Sequence, residues 1–411
     1  MQLTLDSKLI QHLETFPKIW IGLSGGLDSV VLLQLLCQYP ALKIKISAIH
    51  IHHGLSPHAN DWQHFCQHLC QYLGIAFETE KVCLKTRSNL EEQARLARYA
   101  VFEKKLSEGD ALVLAHHLDD QIETFFLHAL RGTGIDGLSA MPVVYPKKHY
   151  TIIRPFLSIP RQEILAFAKY HQWSWIEDES NQNTDFSRNF LRQEVLPLIA
   201  SKWHNYRETL SHTIASCQEV SHYLNQHIEI QSPHLLVDDL LAVDDFTKAL
   251  MIRKWFRWHG LRLPNRNIIQ AIYEQLLFPK RPDHQAQIHW DGAFIMVYRK
   301  VLYLEKDDKH FFDSVWDEFP KDLHGVYAEK SSEGVSISSA DKVEIRYRQG
   351  GEKFFWKGHH HSLKKLFQEW GVPPFLRQKV PLIYVNGELK AVAGFATLQE
   401  GGSDLYHFLL R

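Results

Sequence analysis

Hydrophobic and polar positions follow two rhythms over the first half of the chain. Short runs rich in β-branched and aromatic residues, at 18–21, 45–51, 75–79 and 111–115, have the length and composition of strands. Each is followed by a longer stretch of helical spacing: 30–36, 60–73, a third through Glu91, Glu92, Arg95, Leu96 and Tyr99, and a fourth opening near Asp119. Ser88 or Asn89 is placed to cap the third. Residues 30–36 are apolar nearly all round, which predicts a buried helix. Strands alternating with helices predict an α/β fold with a parallel sheet covered on both faces. Ligands then gather beyond the carboxyl ends of the strands, so 24–29, the histidines His50, His52 and His53, and 116–123 should converge.

The later pattern differs. Residues 202–227 are helical over a long stretch. Ser232-Pro233 and the acidic pairs Asp238-Asp239 and Asp244-Asp245 mark a boundary. Residues 251–259 mix bases and aromatics at helical spacing, with Trp255 and Trp258 read as core in preference to base-stacking platforms. Residues 288–304 alternate as a hairpin, 311–339 read as an irregular, partly acidic linker, and 343–348 alternate as a strand. The organisation expected is a parallel-sheet domain at 1–215, a mainly helical central domain at 216–315 and a small α+β domain at 335–411.

Composition adds little until it is read locally. With 411 residues, 45% hydrophobic and 23% charged, the chain has material for two to three domains. Its net charge of −1 excludes bulk basicity. Yet nine bases (Lys342, Arg346, Arg348, Lys353, Lys357, Lys364, Lys365, Arg377 and Lys379) fall between 341 and 379, opposed by Asp341, Glu344, Glu352 and Glu369. That footprint suits phosphate contacts. The five cysteines, Cys37, Cys66, Cys70, Cys83 and Cys217, are odd in number and lack a framework spacing. With no signal-peptide pattern and no apolar run near ~20 residues, the expectation is a cytoplasmic protein with reduced thiols and no membrane partner.

The chemistry concentrates in three stretches. Ile21-Gly22-Leu23-Ser24-Gly25-Gly26-Leu27-Asp28-Ser29 joins a strand to a buried helix. Its glycines allow close approach of the backbone to a ligand, the helix N-terminus attracts anions, Ser24 and Ser29 add hydroxyls, and Asp28 can hold a hydrated Mg²⁺ between phosphates. No Lys follows the glycines, so this is not a Walker loop, and the dinucleotide fingerprint is absent. In His116-His117-Leu118-Asp119-Asp120-Gln121-Ile122-Glu123-Thr124, Asp120 and Glu123 are i and i+3 on one helix face. They can hold Mg²⁺, bind a cationic amine or accept a proton. The adjacent histidines do not share a face as zinc ligands would. Arg131-Gly132-Thr133-Gly134-Ile135-Asp136-Gly137-Leu138 reads as a mobile or close-approach loop whose Arg could grip a charged group. Arg95 and Arg98, with Tyr99 beside them, form either an RNA-facing surface or a solvated face paired with Glu91 and Glu92.

The first stretch resembles the PP-loop, SGGxDS, of the ATP pyrophosphatases. With AHHLDDQIET, RGTGIDGL, Arg154-Pro155-Phe156, Asn181, Asp185, Arg188-Asn189 and Arg192 in order, the chain resembles the tRNA(Ile)-lysidine synthetases over nearly its whole length. Ser362-Leu363-Lys364-Lys365-Leu366-Phe367 followed by Val372-Pro373-Pro374 is similar to the C-terminal domain of the longer members, with Phe375 where Trp is more usual. The resemblance implies that ATP, with Mg²⁺, adenylates C2 of the wobble cytidine of the CAU-anticodon isoleucine tRNA, and that free lysine then displaces AMP through its ε-amine. It implies nucleotide binding by Ser24, Gly25, Gly26, Leu27, Asp28 and Ser29, with Asp28 as the metal ligand, lysine handling by Asp120 and Glu123, and charge stabilisation by Arg188. The candidate tRNA contacts are Arg95, Arg98, Arg131, Arg346, Arg348, Lys364, Lys365 and Arg377. Oligomeric state is left open, a homodimer included.

Three other readings are weaker. A sulfur-inserting PP-loop enzyme needs reactive or cluster-binding cysteines, yet no CxxC is present. A small-molecule amide ligase leaves the basic C-terminal segment unexplained. A non-catalytic RNA-binding protein does not need Asp28, Asp120, Glu123 and Arg188 together.

Overall fold

The computed structural model of the chain describes residues 3–54, 56–82, 90–177, 184–278, 286–306, 312–317, 319–320, 323, 325–399 and 404–410. Ser88, Asn89, Cys83 and Asn181 lie outside the described residues. Two compact units emerge: Met1–Gln231 with Leu250–Lys254 and Leu263–Ile269, and Ser232–Ala249 with Trp255–Arg262 and Gln270–Arg411.

The first unit is built on a six-stranded sheet of β1 (Ile19–Gly22), β2 (Ile46–His52), β3 (Ala76–Lys81), β4 (Asp110–Val113), β5 (Val144–Pro146) and β6 (Tyr150–Ile153), in the order β3-β2-β1-β4-β6-β5. All neighbours are parallel except the edge pair β5–β6. Ile19 pairs with Ile46 on one side and Ala111 on the other, so the strand order reverses between β1 and β4. The helices are α1 (Ser7–Glu14), α2 (Leu27–Leu36), α3 (Pro40–Lys43), α4 (Ala59–Leu73), α5 (Leu90–Lys105), α6 (Leu118–Leu130), α7 (Ile135–Leu138), α8 (Arg161–Tyr170), α9 (Ser187–Phe190), α10 (Leu196–Lys202) and α11 (Tyr206–His227), with a π turn at Leu191–Val195. Of the ten residues of α2, eight are buried, which is why its sequence is apolar on every face. It packs on β1 and α8 within a core that includes Ile21, Val31, Leu32, Val113 and Phe156.

The glycine-rich stretch after α6 is not a free loop. It folds into α7, which lies on α11: Ser221 Oγ donates to Asp136 Oδ1 at 2.7 Å, and His128 Nδ1 sits 2.7 Å from Gly137 O. Close approach is the part of the expectation the geometry meets, since a Cβ on Gly134 would stand 3.1 Å from Arg253 Nη1.

The chain continues with β7 (Leu235–Leu236), α12 (Val237–Leu241), α13 (Asp245–Trp258), α14 (Arg266–Ala271) and a π turn at Ile272–Leu277. Asp244 caps α13 by accepting from the N–H groups of Phe246 and Thr247. The hairpin expected at 288–304 is part of a four-stranded antiparallel sheet, β7-β10-β9-β8, with β8 (Gln287–Trp290), β9 (Ala293–Tyr298) and β10 (Val301–Lys306). Trp255 is fully buried, as expected, whereas Trp258 is 52% exposed and does not serve as core.

The remaining elements are β11 (Ser314–Val315), β12 (Val326–Ser336), β13 (Val343–Arg346), β14 (Lys353–Trp356), β15 (His359–Ser362), α15 (Leu363–Glu369), β16 (Leu382–Val385), β17 (Glu388–Val392), β18 (Ala396–Thr397) and β19 (Leu405–Leu410). They form the sheet β11-β13-β16-β17-β18, a β12–β19 ribbon and a β14–β15 hairpin. The linker expected over 311–339 is therefore corrected. Val326–Ser336 is a strand, Trp316, Val326 and Val335 are buried beside Ile345 and Phe408, and the polar Ser331-Ser332-Glu333-Gly334 falls where the register shifts between Lys330 and Val335. No helix of the described residues is long and apolar enough to cross a membrane.

Candidate functional site

The reversal of strand order between β1 and β4 opens a crevice at their carboxyl ends, and the two motif-bearing segments follow those strands. After β1, Gly25 takes φ +88° and Gly26 is the N-cap of α2 with no side-chain cap, so the first N–H groups of α2 are open to an anion. The serines shape the loop from within. Ser29 Oγ donates to Gly26 O at 3.0 Å and accepts from Ser24 N at 3.2 Å, the two hydroxyls meet at 3.1 Å, and Ser24 Oγ accepts from Gly26 N at 3.3 Å. His50 Nδ1 lies 2.8 Å from Leu23 O and pins the loop's entry. Ile176 N donates to Gly25 O at 2.9 Å, part of a parallel bridge between Gly26 and Ile176, a few residues after α8.

After β4, His117 caps α6 reciprocally: Asp120 N donates to His117 Nδ1 at 3.3 Å and His117 N to Asp120 Oδ2 at 3.1 Å. With Nδ1 accepting, His117 Nε2 points its remaining position toward Asp120 Oδ2 at 3.4 Å and Asp28 Oδ2 at 3.7 Å. One buried imidazole thus joins the first loop to the acidic helix. Asp119 is an anchor, accepting from Arg207 Nε at 2.8 Å and Arg161 N at 2.9 Å. Fully buried Glu123 receives Arg192 through Nε at 2.7 Å and Nη2 at 3.1 Å, while Arg192 Nη2 also reaches Asp120 Oδ1 at 3.3 Å. Arg188 Nε stands 3.3 Å from Glu123 Oε2, and its Nη2 donates to Thr124 Oγ1 at 2.9 Å.

The carboxyls differ in character. Burial raises Glu123 above the usual carboxylate range despite Arg192 and Arg188. Burial acts on Asp120 in the same sense, but His117, His116 and Arg188 together hold it below that range. Asp28 is raised by burial against the pull of His117 and Arg161, and its Oδ1 is buried with no hydrogen-bond partner. An unpartnered buried carboxylate oxygen suits a cation. No group of three or more His, Cys, Asp or Glu that could hold a metal occurs among the described residues. Burial pushes the Cys66 and Cys70 thiols up to about 12, which suits neither nucleophilic attack nor sulfur transfer.

The structure brings together Ser24, Gly25, Gly26, Leu27, Asp28, Ser29, Asp120, Glu123 and Arg188. Sequence reasoning gave no role to Arg192, Arg161 or Thr124 and treated His117 only as a weak metal ligand. Arg192 was among the residues that carried the resemblance, and its place four after Arg188 was a further signal, but neither gave it a role. Arg95, Arg98 and Arg131 are exposed, with the Arg95 guanidinium 5.2 Å over the Tyr99 ring. In the second unit Lys364 and Lys365 are exposed, Lys365 lying 4.0 Å from Glu369. Arg346 pairs with Glu344 at 2.8 Å and lies 4.5 Å over the Tyr384 ring, and Arg348 stands 3.6 Å from Glu352. Arg377 is a correction. It is 8% exposed and donates to Val372 O at 2.9 Å, so its guanidinium holds the fold and is not offered to RNA.

Known protein families match this chain in three successive stretches. A PP-loop domain model matches residues 1–199, a TilS substrate binding domain model residues 235–303, and a TilS substrate C-terminal domain model residues 343–405. A tRNA(Ile)-lysidine synthase of Legionella pneumophila (strain Lens) is 37% identical over 417 residues, covering 98% of this chain and 95% of the relative. Those of Coxiella burnetii (strain RSA 493 / Nine Mile phase I) and Nitrosomonas europaea (strain ATCC 19718 / CIP 103999 / KCTC 2705 / NBRC 14298) are 35% and 36% identical. They cover 94% and 92% of this chain and 91% and 87% of their own lengths.

Proposed function

The chain belongs to the tRNA(Ile)-lysidine synthase family, and from that premise we propose how its own residues carry out the family's reaction, ATP-dependent ligation of free lysine to C2 of the wobble cytidine. The reading is carried by the contacts Asp28–His117–Asp120, which set a phosphate-binding loop beside an acidic helix face. ATP lies with its phosphates over Gly25, Gly26 and the start of α2. Asp28 is the residue to hold Mg²⁺, whose charge offsets that of the phosphates when it is bound.

Adenylation joins the cytidine O2 to the α phosphorus as pyrophosphate leaves with the bonding electrons. The lysine ε-ammonium, with a reference pKa of about 10.4, cannot attack until it gives up a proton. Asp120, kept ionised, holds the ammonium, and Glu123, with its raised proton affinity, accepts the proton. The amine then bonds to C2 while the C2–O bond breaks and AMP departs. Arg188 and Arg192 balance the charge of the buried carboxylates, and Arg188 faces the charge that develops as AMP leaves. Arg95, Arg98, Arg131, Lys364 and Lys365 are the tRNA phosphate contacts, with Arg346 and Arg348 in support.

Purified protein, labelled lysine, ATP, Mg²⁺ and a CAU-anticodon isoleucine tRNA transcript give the test. Acid-stable label in RNA is expected, lost with a wobble U, and reduced about 10²-fold or more by Asp120→Asn or Glu123→Gln. ATP consumption with tRNA but no label would discard lysine as the nucleophile.

A further inference from the structure

Arg161 opens α8 beside the phosphate loop, and the reaction just described leaves it without a task. Its backbone N–H is held by Asp119 Oδ2 at 2.9 Å, the carboxylate that also accepts from Arg207, so the start of α8 is fixed against the first turn of α6. Its side chain is about half exposed, and Nε stands 3.8 Å from Asp28 Oδ2. That separation makes an ion pair and is too long for a hydrogen bond. Among the described residues the guanidinium donates no hydrogen bond, so its fork of donors is unspent. His117, which also approaches Asp28, is shared with Asp120, whereas among the described residues the Arg161 side chain pairs with Asp28 alone. Its ion-pair partner is the carboxylate that follows the glycines of the phosphate loop, not Asp120 or Glu123.

We propose that Arg161 grips the β and γ phosphates of ATP and stabilises the pyrophosphate as it leaves. The assignment rests on the reading of this loop as the site of tRNA adenylation. In that step the bond from cytidine O2 to the α phosphorus forms, the bond to the bridging oxygen breaks, and the electron pair leaves with pyrophosphate. The charge gathers on the departing oxygens, which a planar guanidinium meets with two parallel N–H donors. An ammonium supplies the charge without the fork.

The test uses the full chain, Mg²⁺, the CAU-anticodon transcript and ATP labelled in the α phosphate, in single turnover without lysine. Arg161→Ala and Arg161→Lys are compared with the wild type for the rate of tRNA adenylation and for inhibition by added pyrophosphate. Adenylated tRNA made by the wild type is then isolated and given to each variant with lysine. Adenylation is expected to fall about 10²-fold in Arg161→Ala and less in Arg161→Lys, with weaker inhibition by pyrophosphate and an unchanged rate of ligation from the preformed adenylate. An unchanged adenylation rate overturns the proposal. So does an equal fall in both half-reactions together with the melting temperature, which marks a structural role. A wild-type protein that forms no adenylated tRNA defeats the adenylation reading itself, and this assignment with it.

Discussion

Gly25 holds φ at +88°, and a Cβ there would stand 2.7 Å from Ile176 Cδ1 and 3.1 Å from Cys66 Sγ. Gly25→Ala is expected to cost roughly 1–2 kcal/mol from the backbone alone, read by denaturant unfolding, and to slow adenylation more than tenfold by displacing the loop. Residues of this kind were legible in sequence because their chemistry is local: a Gly-rich turn, a carboxylate one turn into a helix, two acids three apart. The roles of Arg192, His117 and Arg161 were not, because they depend on which side chain the fold places opposite each. Arg377 shows the converse. A charge count registers an arginine but not its burial, and a guanidinium can sink where a backbone carbonyl accepts from it.

The strands act by what they deliver at their ends. β2 carries His50 and leads to His53, and β4 leads to His116. Desolvation lowers all three from the ordinary histidine value of about 6.5, His53 to about 4 and His116 to about 3. Below 6.5 the unfolded chain takes up protons that the native imidazoles refuse, so stability is present above that pH and is lost as pH falls toward about 4. The melting temperature is expected to drop between pH 6.5 and 4.5, and His116→Asn to flatten that drop. Element type was readable wherever period and burial agreed, as in α2. It failed in β12, where four polar residues at a register shift broke the alternation, and at Trp258, whose helical spacing matched a core position that the fold leaves in solvent.

The parallel sheet of the first unit followed from the alternation of strands and helices, and with it the meeting of the two motifs. The near-neutral net charge concealed how the second unit spends its bases. Arg346, Arg348, Lys342 and Lys379 pair with acids of their own unit, while Lys364 is exposed. The double change Lys364→Glu, Lys365→Glu is expected to weaken tRNA binding. It should also lower the slope of log affinity against log salt by about 2, with ATP affinity unaltered, as read by filter binding over a salt series. One contact within the first unit has a kinetic reach of its own. The amide hydrogen of Ile176 is committed to Gly25 O, so it can trade with deuterium only when the loop lets go. Mass spectrometry of that one peptide, with and without ATP, then reads how often the loop opens. Nucleotide binding over the loop should lengthen the interval between openings, so the free enzyme carries a built-in clock on its phosphate site.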